Sequence, residues 1–439
     1  MTDYIWRKES SEQVDARVMR FLAGQDVILD RELFGFDIQA SKAHAAGLAR
    51  IGVLEVGQAE AMRASLDRLS ASFEQGEFVL DERFEDGHSA IEHWLIDDLG
   101  DIGGRIHAGR SRNDQIAVAI RLYVKNRLDA LVQACCDIAG VCLKRADGER
   151  DIPIPGHTHL QQAMPSSLGL WWAGHAEAFI DDAALAFATR DWLDACPLGT
   201  ASGFGVNIPL DRAGVAEELG FDRLLINPQY AQNSRGKVEL RALDALAAAT
   251  SDLRRLAWDL SIFSSQEFGF VQVDAAFCTG SSIMPNKLNP DTVELLRSLH
   301  GGIVGARVEL ESVLSLPSGY QRDLQDTKPP LLRAMRRGLA GLSIAPALLD
   351  TLRWNEARMA EAVAPELHAT DRANEFVADG LAFRDAYRQA ASELDQLGQR
   401  SPKDSLERRV SPGGCANLML DALTDRHQRL LQAVSRTSE

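Results

Sequence analysis

The chain has 439 residues and a formal net charge of −16 at pH 7, and 45% of its residues are apolar. This length allows a large buried core and two or three domains. A negative charge of this size argues against nucleic acid as a partner, because binding phosphates requires a cationic surface.

The six cysteines have neither the spacing of a metal site nor that of a secreted disulfide framework. We therefore expect reduced thiols, as in the cytoplasm. The stretch from Met1 to Ser11 is polar and charged, unlike a signal peptide, and no apolar run reaches membrane length. The sequence predicts a cytoplasmic protein without a membrane partner, a metal or a cofactor.

Helical periodicity dominates the chain. Five long segments repeat apolar residues at steps of three and four, namely 116–142, 167–195, 238–266, 290–314 and 328–352. Alternating strand patterns are scarce, and shorter helices are predicted on both sides of these segments. We predict an all-α fold with an N-terminal helical domain (1–108), a central long-helix bundle (109–354) and a C-terminal helical domain (355–439).

The first segment with candidate chemistry is 106–115, Ile-His-Ala-Gly-Arg-Ser-Arg-Asn-Asp-Gln, which precedes a long helix. Arg110 and Arg112 offer paired donors for carboxylates, and Ser111 and Asn113 can hydrogen-bond the same groups. The pattern favours a site for a succinyl group. A solvated basic turn is the alternative interpretation.

The second segment is 154–161, Ile-Pro-Gly-His-Thr-His-Leu-Gln, between two long helices. It contains two histidines, whose side chains gain or lose a proton near neutral pH. A lone histidine is more often structural than catalytic, and for His157 both interpretations stay open.

The most informative segment is 280–291, Gly-Ser-Ser-Ile-Met-Pro-Asn-Lys-Leu-Asn-Pro-Asp. Gly280 relaxes the backbone, and Asn289-Pro290 is typical of an N-cap followed by the first residue of a helix. The helix N-terminus and Lys287 both favour an anion. In this field Ser281 can lose its proton more easily than a free hydroxyl, so it is a candidate general base or nucleophile.

These segments carry a family resemblance. Segment 280–291 resembles the signature of the aspartase/fumarase superfamily, whose members release fumarate by elimination, and 106–115 is similar to the argininosuccinate lyases in particular. Segment 154–161 is similar to their Pro-Gly-x-Thr-His-Leu-Gln, and further matches cover nearly the whole chain. The resemblance implies reversible cleavage of argininosuccinate to arginine and fumarate. It also implies a homotetramer, in which the long helices form a larger bundle core and different subunits contribute to one site.

The resemblance implies a role for each matching residue. Ser281 would be the general base, with Ser282 as the less favoured alternative, and Lys287 would stabilise the enediolate. His159 and Glu294 would act as an acid or as a positioning pair, and the identity of the acid stays open because a guanidinium can leave without strong protonation. The expected substrate contacts are Ser111, Arg112, Asn113, Thr158, Asn289, Tyr320, Gln325, Lys328, His88 and Asp26.

Two positions depart from the family pattern. Asp26 stands where a serine usually contacts the amino-acid end of the substrate, so it would bind an ammonium group or indicate a modified substrate. Residues 227–237 lack the family's Arg-Asp-Phe and offer Arg235-Gly236-Lys237 instead. The alternative within the superfamily is a lyase for another N-substituted aspartate. A serine hydrolase and a non-catalytic helical scaffold are less favoured, since the Gly-x-Ser-x-Gly elbow is absent while the catalytic residues are intact.

Overall fold

The structure is a computed structural model that describes residues 15–23, 25–398 and 400–438. The polar stretch Met1 to Ser11, on which the argument about a signal peptide rests, lies outside the described residues. Helices make up most of the described chain, which confirms the predicted all-α class.

The chain begins with helices of up to 19 residues. They are α1 (Ala16–Ala23), α2 (Asp26–Leu29), α3 (Phe34–Arg50), α4 (Val56–Glu74), α5 (Gly87–Leu99) and α6 (Asp101–Gly104).

All five predicted long helices are present in the middle of the chain, and two short helices lie among them. In chain order these helices are α7 (Arg112–Gly148), α8 (Leu168–Trp192), α9 (Arg212–Glu218), α10 (Pro228–Asn233), α11 (Lys237–Phe263), α12 (Asp291–Val313) and α13 (Lys328–Asp350). The cap predicted at Asn289 was wrong by one residue, because α12 begins at Asp291 and the carbonyl of Pro290 accepts the first helical hydrogen bond, from Glu294.

Shorter helices follow as predicted. They are α14 (Glu356–Glu361), α15 (Ala369–Ala378), α16 (Phe383–Ser392), α17 (Pro402–Glu407) and α18 (Leu420–Ser438). Among the described helices, none has both the length and the apolar composition required to cross a bilayer.

Six short 3-10 helices and four two-stranded sheets are also present among the described residues. The strands are β1 (Pro153–Thr158), β2 (Gln161–Ser167), β3 (Ala195–Cys196), β4 (Arg223–Leu224), β5 (Val271–Gln272), β6 (Thr279–Gly280), β7 (Leu288–Asn289) and β8 (Arg353–Trp354). The antiparallel β1–β2 hairpin is the longest pair and was not predicted, because its Pro, Gly and His residues hide the alternation of a strand.

The chain divides into two compact units. The first consists of Met1–Asp129, Ala188–Ala245 and Val304–Arg336, and the second consists of Ala130–Phe187, Leu246–Ile303 and Arg337–Glu439. The boundaries fall inside all five long helices. The division into three domains by sequence position stays a prediction.

In the first unit, α3, α4 and α5 enclose a hydrophobic cluster. Phe34 of α3 stacks on Phe78 with ring centroids 5.9 Å apart, and the cluster continues through Leu66 of α4 and Ile91 of α5. Burial of such side chains is the main favourable contribution to folding. The cluster holds α3 and α5 side by side, which matters below because each helix carries one member of a buried ion pair.

The start of α7 is also fixed within the first unit. The Ser111 hydroxyl accepts a hydrogen bond from the Asn113 amide at 3.3 Å, and Asp114 accepts one from the Ser111 amide at 2.7 Å, so the two side chains cap the helix reciprocally. The buried Asp114 carboxylate also accepts from the amides of Gly199 and Ala201. Ser111 and Asp114 therefore fix the direction in which Arg112 and Asn113 leave the helix.

Arg145 stabilises the second unit near the ends of α7 and α13. Its guanidinium donates to the carbonyls of Leu349 at 2.7 Å and Leu352 at 3.0 Å, where the last helical carbonyls lack intrahelical partners. It also pairs with Glu149, whose carboxylate accepts from the Trp172 indole at 2.6 Å.

Candidate active site

A polar cavity of about 160 Å³ lies in the first unit, and we refer to it as the Lys328 cavity. Seven of the fourteen predicted site residues line it, namely Asp26, His88, Arg112, Asn113, Tyr320, Gln325 and Lys328. Because these residues come from segments distant in the chain, their convergence supports one binding site.

Lys328 lies at the bottom of this arrangement with a side chain only 3% exposed. Its ammonium lies 2.8 Å from Asp30 and also contacts Asp26. Burial alone would lower the pKa of Lys328, but the attraction of Asp30 and Asp26 outweighs burial and raises it. The lysine is therefore a fixed, fully charged cation held between two carboxylates one helical turn apart.

Arg112 leaves the N-terminus of α7 and contacts a second pair of carboxylates. Its guanidinium lies 2.7 Å from Glu85 and 3.4 Å from Asp86. Asp86 is itself fixed, because it caps α5 by accepting from the Ser89 amide at 2.7 Å. These contacts orient the guanidinium before any ligand arrives.

Arg110, the other predicted carboxylate donor, does not line the cavity. Its side chain is buried and donates to the Ser41 hydroxyl at 3.0 Å. The structure therefore does not bring Arg110 to this cavity together with Arg112.

His88 forms a buried ion pair with Asp37. The imidazole Nδ1 lies 2.5 Å from the Asp37 carboxylate, with both side chains less than a tenth exposed. Burial opposes a charged imidazole, but the attraction and the hydrogen bond of Asp37 outweigh it and raise the pKa of His88 above its ordinary value. With Nδ1 engaged, His88 offers only Nε2 to other groups.

Gln325, which lines the cavity, is hydrogen-bonded to the end of α1. Its amide nitrogen donates to the Leu22 carbonyl at 2.8 Å, and Arg322 donates to the same oxygen at 3.0 Å. Tyr320 is half-buried beside them. The amide oxygen of Gln325 is thereby left as the group that can accept from a ligand.

The two predicted site residues of segment 154–161, Thr158 and His159, lie in the second unit at the tip of the β1–β2 hairpin. Thr158 pairs with Gln161, and the two residues between them, His159 and Leu160, have φ of 55° and 56°. Two left-handed residues in a two-residue hairpin loop are typical of a type I′ turn, which normally uses Asn and Gly. Backbone strain of this kind is concentrated at functional sites. The turn places His159 at the exposed tip of the hairpin.

His157 lies one step inside the same hairpin. Its ring packs against Phe268 with centroids 6.0 Å apart, and burial lowers its pKa. These contacts favour the structural interpretation of this histidine.

The segment around Ser281 also belongs to the second unit and forms a small hairpin. Thr279 pairs with Asn289, and Gly280 pairs with Leu288. The Ser281 hydroxyl accepts from the backbone amide of Met284 at 3.0 Å. Hydrogen bonds donated to an oxygen stabilise its deprotonated form, so the local geometry favours the role of a base.

Lys287 lies in this loop and is exposed, and Asn289 follows in β7. Glu294 is in the first turn of α12, half exposed and 3.9 Å from Arg297. Among the described residues of this chain, neither an ion pair nor a hydrogen bond joins His159 to Glu294. The pairing implied by the resemblance stays a prediction.

Six residues that line the Lys328 cavity were not among the predicted site residues, namely Asp30, Glu85, Asp86, Ile116, Arg235 and Arg322. Asp26 and Asp30 are four residues apart, which places them on one helical face and was a usable signal. Arg235 was noted only as part of a departure from the family pattern, because its contact with Leu324 joins residues 89 positions apart.

A family model and curated relatives match this chain over most of its length. A family model described as a lyase matches residues 10–305. Argininosuccinate lyases from Stenotrophomonas maltophilia (strain R551-3) and Xanthomonas axonopodis pv. citri (strain 306) are each 53% identical over 431 residues, covering 98% of this chain and 100% of each relative.

Two solved structures have a similar fold at low identity. EDDS lyase in complex with formate has a TM-score of 0.80 and 21% identity, covering 97% of this chain and 93% of that chain. Class II fumarase from Schistosoma mansoni has a TM-score of 0.70 and 16% identity, covering 87% and 91%.

The His88–Asp37 pair makes stability depend on pH. Because the pKa of His88 is raised, the pair stabilises the fold fully below the ordinary imidazole pKa, and this contribution is lost as pH rises through the raised pKa. We expect Asp37→Asn to lower the free energy of unfolding most at mildly acidic pH and less at alkaline pH, measured by urea denaturation across a pH series.

The control for this experiment is Asp81→Asn, which removes a carboxylate that pairs with the exposed Arg83. Its effect on unfolding should not change across the imidazole range. An Asp37→Asn penalty that is equally constant would show that His88 is neutral in the folded protein.

Proposed function

Because the chain belongs to the lyase family, and within it to the argininosuccinate lyases, we propose that it catalyses the reversible β-elimination of argininosuccinate to arginine and fumarate. The observation that carries this proposal is 53% identity over the full length of the argininosuccinate lyases. This reaction is the last step of arginine biosynthesis.

The reaction requires a base, a stabiliser of negative charge and a leaving nitrogen. Ser281 removes the proton from the carbon beside the succinyl carboxylate, and the electrons of that C–H bond pass into the carboxylate as an enediolate. The enediolate then collapses to the double bond of fumarate while the carbon–nitrogen bond breaks, and that electron pair leaves with the guanidino nitrogen. The Met284 amide at 3.0 Å from the serine oxygen supports this role by stabilising the deprotonated hydroxyl.

Charge development sets the roles of the other residues. Lys287 and Asn289 stabilise the enediolate together with Arg112 and Asn113, which lie at the positive N-terminal end of α7. Ser111 contributes its hydroxyl to the same carboxylate. His159, oriented by Glu294, protonates the leaving nitrogen or positions the groups around it.

The Lys328 cavity receives the amine half of the substrate. The residues assigned to it are Asp26, His88, Tyr320, Gln325 and Lys328, and Thr158 contacts the substrate from the tip of the β1–β2 hairpin. The concentration of fixed charges around 160 Å³ supports this assignment, because a zwitterionic group needs both signs of charge within a small volume.

The active assembly is a homotetramer in the cytoplasm. Exposed apolar side chains on α12, namely Leu295, Val304 and Val308, support an interface along this helix. Assembly from several subunits would also supply His159 with a Glu294 from another chain. The division into domains 1–108, 109–354 and 355–439 belongs to the same proposal.

The second candidate is a lyase for another N-substituted aspartate. It is favoured by Asp26, which replaces a serine of the family, and by the altered segment at Arg235. Both residues line the cavity that would hold the amine, so a different amine is the specific consequence.

The reaction itself is tested by adding argininosuccinate to the purified protein and following the ultraviolet absorbance of fumarate. We expect absorbance to rise with argininosuccinate and not with adenylosuccinate, malate or aspartate. Fumarate release from adenylosuccinate alone would favour the second candidate.

Ser281→Ala should lower kcat by about 10²- to 10⁴-fold, the usual contribution of a general base, while substrate binding and the helical circular dichroism are retained. Ser282→Ala is the matched control, since the neighbouring hydroxyl has the same size and loop position. Normal turnover in Ser281→Ala with loss in Ser282→Ala would transfer the role to the second serine.

The shared site is tested by complementation. Inactive Ser281→Ala protein mixed with inactive His159→Asn protein should regain part of the wild-type activity, because some sites in mixed tetramers receive both intact residues. Each variant is dissociated and reassembled alone as the control. Verified subunit exchange without any regain of activity would place both residues in a site built by one chain.

A further inference from the structure

The ammonium group of Lys328 is already paired with carboxylates of the protein. It lies 2.8 Å from Asp30 and contacts Asp26, so two carboxylates surround one cation. With both carboxylates ionised, the three groups carry a net charge of −1, although burial raises the pKa of Asp26 against the attraction of Lys328. A ligand carboxylate brought to this point would be repelled by both aspartates, whereas a ligand ammonium would be attracted.

Arg235 lines the same cavity, and its surroundings favour an anion and not a cation. Its side chain is 4% exposed and lies 3.4 Å from Glu239, and its Nη2 donates to the Leu324 carbonyl at 3.3 Å. Both contacts are long for a guanidinium. Within the described part of the chain, the Nη1 atom of Arg235 has no hydrogen-bond partner.

The charge near Arg235 is also incompletely balanced. The buried Arg121 is attracted to the same Glu239, and it donates to the Leu193 carbonyl at 2.7 Å and to the Ser234 hydroxyl at 3.0 Å. Two arginines and one glutamate leave a net charge of +1 in a buried region. An unpaired donor and an excess of positive charge both favour an anionic ligand group.

We propose that Arg235, and not Lys328, binds the α-carboxylate at the amino-acid end of the substrate, while Asp26 and Asp30 attract the α-ammonium. The inference rests on the proposed function, since it names the partner of one substrate group in that reaction. It also accounts for the departure from the family pattern at Asp26. The carboxylate added at Asp26 removes Lys328 from anion binding, and Arg235 supplies the cation in its place.

The test compares the binding of arginine and agmatine, which differs from arginine by lacking the α-carboxylate. Calorimetry on the full-length protein measures the affinity for each ligand, and neither ligand is converted in the absence of fumarate. We expect Arg235→Gln to lower the affinity for arginine roughly 10- to 100-fold, which is the effect of losing one charged hydrogen-bonded pair. The affinity for agmatine should change by less than about twofold.

The matched control is Arg241→Gln in α11, the helix that begins two residues after Arg235. Arg241 is about half exposed and pairs with Asp244 at 2.9 Å, outside the Lys328 cavity. This variant also removes one positive charge from the first unit, and it should leave the affinities for arginine and agmatine unchanged.

Arg235→Gln leaves Glu239 buried with less compensation, so folding must be controlled as well. Arg235→Lys keeps the charge and removes the paired donors, and Arg235→Gln/Glu239→Gln removes the whole ion pair. Among variants with wild-type helical circular dichroism, arginine affinity should fall less in Arg235→Lys than in the neutral variants, with agmatine affinity unchanged in all.

Three outcomes would overturn the inference. Equal losses for arginine and agmatine would make Arg235 a structural residue, and loss of the preference for arginine only in Lys328→Gln would place the carboxylate on Lys328. A wild-type protein that binds arginine no more tightly than agmatine would also exclude it. Failure of the proposed function appears separately, as absence of fumarate release by the wild type.

Discussion

The cost of burying the ammonium of Lys328 is the constraint on which the rest of the cavity depends. An ionised lysine cannot be removed from water unless carboxylates compensate for the lost hydration. Asp26 and Asp30 provide this compensation from α2 and from the residue that follows it, which fixes this short segment against the start of α13. The Gly87 amide then donates to the second oxygen of Asp30 at 2.9 Å, so the constraint extends to α5 and to His88.

The residues proposed to react with the substrate are held in a different way. Ser281 and His159 lie in hairpin loops with few contacts, and the strained turn at His159 and Leu160 is exposed. Loops of this kind belong to the least stable parts of a fold, and they can move when a substrate or a second subunit arrives. In the proposed reaction, binding the substrate and carrying out the chemistry are therefore separate requirements, and the proposal assigns them to separate segments of the chain.

The long helices could be predicted from the sequence because their apolar period is local, and all five were found within a few residues of their expected bounds. The β1–β2 hairpin could not, because it depends on Pro155 and Gly156 being tolerated in a short strand. The motif residues were recognisable as a set, but their contacts were not. Asp37 and His88 are 51 positions apart, and Asp30 and Lys328 are 298 apart, so only the folded chain reveals which carboxylate belongs to which cation.

The same pairing resolves an apparent conflict between the acidic protein and its anionic substrate. Lys328 has Asp26 and Asp30, and Arg112 has Glu85 and Asp86, so each of these cations is accompanied by two carboxylates. At Lys328 a simple anion gains little, since every attraction is offset by a repulsion at similar distance, whereas Arg112 also lies at the positive N-terminal end of α7. A ligand that carries both charges at the right separation gains from each pair in turn. In the proposed site, recognition therefore depends on the arrangement of charge and not on its sum, and a net charge of −16 on the protein does not exclude a substrate with several carboxylates.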